Sequence, residues 1–154
     1  MYTAFLFAHS WLRWVVLILA LAASARALSG RMNRAAWQPT DDAVGRWFVI
    51  SLDVQVLVGL TLSFVLSPVA TVAWRNLGEV MRNAPIRFIT VEHLVGMLAA
   101  TALAHVGRVR IRKTTDAQRR QTSALIFYGL ALLLMLSFIP WPFRSAGAPL
   151  LRLL

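Results

Sequence analysis

Residues 87–107, RFITVEHLVGMLAATALAHVG, form an apolar stretch long enough to cross a bilayer, yet they carry Glu92, His93 and His105. Ionisable groups at membrane depth are costly and tend to face a bundle interior, so each is a functional-site candidate by default. The N-terminal apolar stretch contributes His9 and, one helical turn later, Arg13. Imidazoles ligate metals through an unprotonated ring nitrogen, and a guanidinium is a fork donor for carboxylates and carbonyls. Those three residue types inside hydrocarbon point to a buried polar site.

The remainder of the chain defines the elements that must hold this site. Its 154 residues are 58% hydrophobic, and the mean hydropathy is +0.65. That is too apolar for an ordinary soluble domain and too short for two membrane domains, so residues 1–154 read as one integral membrane domain. Cysteine is absent, which excludes disulfides, thiolate-held iron–sulfur clusters and thiol chemistry. The net charge of +10 would fit nucleic acid in a soluble protein. Here the arginines sit between apolar spans, where they act as topology signals and lipid-headgroup contacts, and nucleic-acid binding is not expected.

Hydropathy and turn residues predict four transmembrane helices, at about 2–28, 45–67, 85–107 and 122–139, each near the ~20 residues that ~30 Å of hydrocarbon requires. ALAASA in the first span resembles a signal-cleavage site. His9 and Arg13 interrupt the apolar run, however, and no basic residue precedes it, so a retained helix is expected. Thr40, Asp41 and Asp42 supply capping oxygens before the second span, Pro85 suits the first turn of the third, and Pro140-Trp141-Pro142 ends the fourth. Between spans two and three, Val69, Val72, Ala73, Leu77, Val80 and Met81 recur at helical spacing opposite Arg75, Asn76, Glu79 and Arg82. Either a short helix in the membrane interface or an irregular surface loop accounts for that pattern. The expected fold is all-α, an up-down four-helix bundle.

Orientation follows from the basic residues. The connections after spans one and three hold Arg26, Arg31, Arg34, Arg46, Arg108, Arg110, Arg112, Lys113, Arg119 and Arg120, whereas the opposite side has Arg75, Arg82, Arg87, Arg144 and Arg152. The richer side belongs in the cytoplasm, which puts both termini, and the outer tail 140–154, outside.

Depth then ranks the histidines. Spans one and three run in the same direction, so His9 and His93 lie ~9 Å and ~12 Å below their helix starts, at almost one level, while His105 belongs near the cytoplasmic face. Helices one and three are diagonal in such a bundle, ~12–14 Å apart, about the separation that two imidazoles need to ligate a haem iron from both sides. Gly96, with Ala100 and Ala104, forms a small-residue stripe near the face of His93. It could accommodate a flat macrocycle or a neighbouring helix. Gln55, Gly59 and Ser63 give a similar stripe on span two. Arg13 could bind a haem propionate or quinone carbonyl, or pair with Glu92 or Asp53. Glu92 could orient an imidazole or accept a proton from a quinol, and Asp53 could bond His105 across two helices. A quinone, a chlorophyll-type pigment with its magnesium on one histidine, or two satisfied core histidines with no ligand are the competing readings of the His9–His93 pair.

In HSWLRW (residues 9–14), DVQVLVGL (53–60), IRFITVEH (86–93) and FIPWPFR (138–144), the chain resembles small four-helix bacterial membrane proteins catalogued as cytochrome b-like. It has a fainter likeness to the SirB family in the H-x-x-L-R start and the Asp-plus-Gly second helix. The resemblance implies a bacterial inner-membrane protein with haem b as cofactor and His9 and His93 as axial ligands. With three histidines, a second bis-histidine haem is excluded. The expected function is electron transfer as a subunit of a larger respiratory or photosynthetic complex. The alternatives are a non-catalytic accessory subunit docking through its Pro-rich outer tail, or a quinone-binding protein using Arg13, Glu92 and His93.

Overall fold

The computed structural model describes residues 1–152, all of whose regular structure is helical. Four helices are long and apolar enough to cross a membrane: Tyr2–Met32, Pro39–Leu66, Ala84–Lys113 and Ala117–Phe138. They form the expected bundle, with the first and third spans diagonal and each packed on the second and fourth.

Every span overruns the hydropathy boundary at the end rich in arginine, because hydropathy registers the bilayer and not the backbone hydrogen-bond ladder. The second span starts at Pro39, where Gln38 and Asp41 form a capping box in which Asp41 Oδ2 accepts from the Gln38 amide at 2.8 Å. Asp41 and Asp42 are therefore first-turn residues, not a preceding cap. Asp41 also accepts from Arg26 Nε at 2.7 Å, and Asp42 takes a two-pronged bond from Arg108 at 2.6 and 2.9 Å, tying spans two and three together. The fourth span starts at Ala117, capped by Asp116, whose carboxylate accepts from the Arg119 amide at 2.7 Å.

The connection between spans two and three forms two short helices, Pro68–Arg75 and Leu77–Arg82, broken at Asn76. Trp74 anchors the first of them, donating to Ser63 Oγ at 3.0 Å and stacking on Phe64 at 5.0 Å. Spans two and three each contain a π-helical turn at this end, Leu62–Leu66 and Phe88–Glu92. Such wide turns occur often at functional sites, because the extra residue re-aims the side chains around it.

Small side chains set the packing of the core. Ala20, Ala100, Ala104 and Ala131 are fully buried, and Phe48 meets Tyr128 edge-on at 5.4 Å. The fourth span takes up the stripe of the third: a Cβ added to Gly96 would lie 2.3 Å from Phe138 Cγ. Gly96 therefore gives room to the ring of Phe138 and not to a macrocycle, which corrects its expected place at a cofactor site. Close helix approach is the other established use of such stripes. Replacing Gly96 by Leu should overpack this seam by about 1–3 kcal/mol. Thermal unfolding in detergent should show a lowered Tm, while Gly129→Ala, where an added Cβ meets nothing within 4 Å, should leave it unchanged or slightly raised.

Candidate functional site

Beneath the end of the bundle that carries the termini, the rings of His9 and His93 face each other with centroids 6.3 Å apart and planes at 81°. The depth match read from helix direction is thus realised in space. Each ring is held by a partner on an adjacent helix. His93 Nδ1 lies 2.7 Å from the carbonyl oxygen of Phe138. That carbonyl is in the last turn of the fourth span, and the residue whose amide would normally satisfy it is Pro142, which has no N–H. A carbonyl only accepts, so Nδ1 carries the proton and Nε2 keeps its lone pair. Sequence reasoning missed this contact, although the proline four residues after Phe138 was its signal.

His9 is held from the second span. Gln55 Nε2 donates to the His9 backbone carbonyl at 3.0 Å and lies 3.4 Å from His9 Nε2. Gly59 makes space for the ring, since a Cβ there would sit 3.0 Å from His9 Cε1. The other ring nitrogen, Nδ1, is buried with no hydrogen-bond partner, as is the side-chain oxygen of Gln55. Buried polar atoms of this kind are rare in native proteins and require an explanation such as a bound group.

The two histidines border a cavity of about 500 Å³, walled by Leu17, Leu52, Val56, Met97, Met135 and Ile139 and also reached by Gln55, Gly59 and Ser63. Its size and apolar walls with few converging polar groups match a small-molecule or cofactor site. Arg13 and Arg152 line it as well. Arg13 donates to the Leu150 carbonyl and lies over Trp14 at 5.3 Å. It has no carboxylate partner among the described residues, because Glu92 is taken by Arg87 at 2.6 Å and Asp53 by His105 at 2.8 Å. Of the two readings of Arg13, the pairing with Glu92 or Asp53 is therefore corrected. Glu92 is also corrected as a site residue: it sits ~100° around the helix from His93, against Arg87, and does not reach the cavity. His105 belongs to the separate pair with Asp53, as its depth indicated.

The tail after the fourth span folds back over the cavity mouth. Trp11 Nε1 donates to the Arg152 carbonyl and Trp14 Nε1 to the Leu150 carbonyl, both at 3.0 Å, and Ala148 N donates to Pro140 O at 3.0 Å. Gly147 makes the tight turn, since a Cβ would meet three backbone oxygens at 2.7–2.8 Å. Ala146, Gly147 and Pro149 thus become part of the cavity wall, so the described part of the tail packs on its own bundle. The indoles of the HSWLRW segment are its clasp.

Fold and site together define a multi-pass helical membrane protein with a two-imidazole cavity closed by its own C-terminal segment. No known protein family, characterised protein or solved structure matches the chain. The clasp is testable by itself. Trp11→Phe with Trp14→Phe deletes two donors and keeps the aromatic bulk. Hydrogen exchange in residues 146–152 should then rise severalfold with the Tm of the bundle unchanged, each lost bond contributing about 1 kcal/mol.

Proposed function

We propose that this protein is a membrane subunit that holds one haem b between His9 and His93 and passes electrons within a larger respiratory or photosynthetic assembly. The observation that carries the reading is the ring separation. Two imidazole nitrogens each ~2 Å from one metal, with ~1 Å more from nitrogen to ring centre, put the centroids ~6 Å apart, and the observed distance is 6.3 Å. Among the described residues there is no group of three or more His, Cys, Asp or Glu that could hold a bare ion. A macrocycle supplies four donors of its own and asks the protein for two.

The residues present fit such a group. His93 presents Nε2 with its proton fixed on the far nitrogen by Phe138, an arrangement that raises the basicity of a ligating imidazole. His9 offers a buried ring nitrogen without a partner. Arg13 and Arg152 lie at the mouth, where the carboxylates of a haem edge would meet guanidinium forks. When bound, haem would supply the one-electron chemistry; the apolar walls and the folded-back tail exclude water, and burial together with Arg13 tunes the potential.

Ten basic residues at one end against five at the other support a bacterial inner-membrane location with both termini outside. In that orientation the two short helices lie along the outer interface, and membrane lipids and further membrane subunits surround the bundle. Reduced-minus-oxidised spectra of the purified protein should show b-type bands that vanish in a His9→Ala, His93→Ala variant and persist in Glu92→Gln. Absence of haem absorbance, or haem kept by the double variant, would reject the proposal.

A further inference from the structure

At the arginine-rich end, spans two and three are tied by the two-pronged bond of Arg108 to Asp42, at 2.6 and 2.9 Å. One helical turn from each partner stands a second arginine, Arg46 after Asp42 and Arg112 after Arg108, and residues four apart share a helix face. Both are exposed, and both lie close enough for their charge to act on the Asp42 carboxylate. That carboxylate is taken by Arg108, and neither Arg46 nor Arg112 forms an ion pair among the described residues. Three guanidiniums thus share one acid, which leaves two positive charges uncancelled at the head of this seam. The other acids of this end give no relief, since Asp41 is held by Arg26 and Asp116 caps the fourth span.

Further into the bilayer the seam changes character. Asp53 lies seven residues from Arg46 and His105 seven from Arg112, nearly two turns and so ~10 Å along the same helix faces. The two are bonded at 2.8 Å and remain half-exposed. Ile50 and Val109 flank this level and Leu57 lies beyond it, all of them exposed apolar side chains. From the helix ends inward, the seam therefore runs from free cations through a polar pair to an apolar strip.

We propose that an anionic phospholipid lies in this seam, with its phosphate on Arg46 and Arg112 and its chains along Ile50, Val109 and Leu57. A guanidinium meets phosphate oxygens as a fork of donors, and here two forks are unpaired. A lipid with net negative charge offsets what the chain's own acids leave over, whereas a zwitterionic lipid brings a cation of its own. The polar layer of one leaflet is ~5–8 Å deep, so the glycerol esters reach toward Asp53 and His105 and the chains continue onto the apolar strip. A free phosphate would satisfy the guanidiniums and leave that strip bare, which selects a lipid as the occupant. None of these residues lines the histidine cavity, so the inference is independent of any haem.

Native mass spectrometry of the purified chain, titrated with dioleoyl phosphatidylglycerol or dioleoyl phosphatidylcholine, reads the site directly. Phosphatidylglycerol should form a one-to-one adduct about tenfold more tightly than phosphatidylcholine. Arg46→Gln with Arg112→Gln should abolish that preference. Arg31→Gln with Arg34→Gln removes the same charge from exposed positions of the first connection and should keep it. The Tm in detergent gives a second readout: phosphatidylglycerol should raise it in the unaltered chain and not in the Arg46, Arg112 variant. Millimolar inorganic phosphate should not displace the adduct. Four outcomes overturn the proposal: equal binding of the two lipids, a preference kept without Arg46 and Arg112, equal loss in the Arg31, Arg34 variant, or displacement by inorganic phosphate.

Discussion

The carbonyl of Phe138 cannot be satisfied by its own helix, because the amide that should reach it belongs to a proline. In hydrocarbon an unmet backbone acceptor costs several kcal/mol, so a donor has to come from a neighbouring element. His93 is that donor. One bond therefore ends the fourth span in an ordered way and fixes the imidazole of the third span in one tautomer, with its ring beside that of His9. Deprived of it, the fourth span would fray and the histidine would have no set direction.

The bundle is asymmetric around this bond. The fourth span fills the interior beside the first and third, with Phe138 over Gly96 and Gln121 over Gly30, distances so short that no side chain could replace either glycine without displacement. The second span does the opposite. Gly59 and Ser63 leave space, Gln55 reaches across to His9, and the π-helical turns at Leu62–Leu66 and Phe88–Glu92 lie at the same end. Close packing on one side and open space on the other place the cavity between the histidines and the second span. Glycine thus has two roles here, admitting a neighbour's ring at Gly96 and leaving room for a histidine at Gly59.

This asymmetry explains what could be read from the residues alone. Span number, alternating direction and the equal depth of His9 and His93 follow from hydropathy, turn residues and the rise per residue, all of them local. The Asp53–His105 bond was legible for the same reason, since two lone polar groups at one depth on adjacent helices have few other partners. Which small-residue stripe faces a cavity is not local. Gly96 and Gly59 look equivalent until the rotation of each helix is known, and that rotation is set by Phe138 and Gln55 on other helices. The helix ends were misjudged because arginine-rich turns remain helical outside the hydrocarbon, held by Asp41, Asp42 and Asp116.

The tail shows how a polar group at the membrane surface can be served by backbone alone. An acid was one of the partners open to Arg13, but both Glu92 and Asp53 are held by a nearer cation or imidazole. Backbone carbonyls are the remaining acceptors, and a segment with prolines at 140, 142 and 149 supplies them freely, because proline contributes an acceptor and no donor. Trp11, Arg13 and Trp14, with three side-chain donors on one helical turn, meet Leu150 and Arg152, whose carbonyls are not used by any helix. A donor-rich helix turn and an acceptor-rich strap complement each other, so the strap closes the cavity while leaving the positive charge of Arg13 uncancelled beside it. A site built this way favours an occupant that brings its own negative charge to the mouth and an apolar body to the interior.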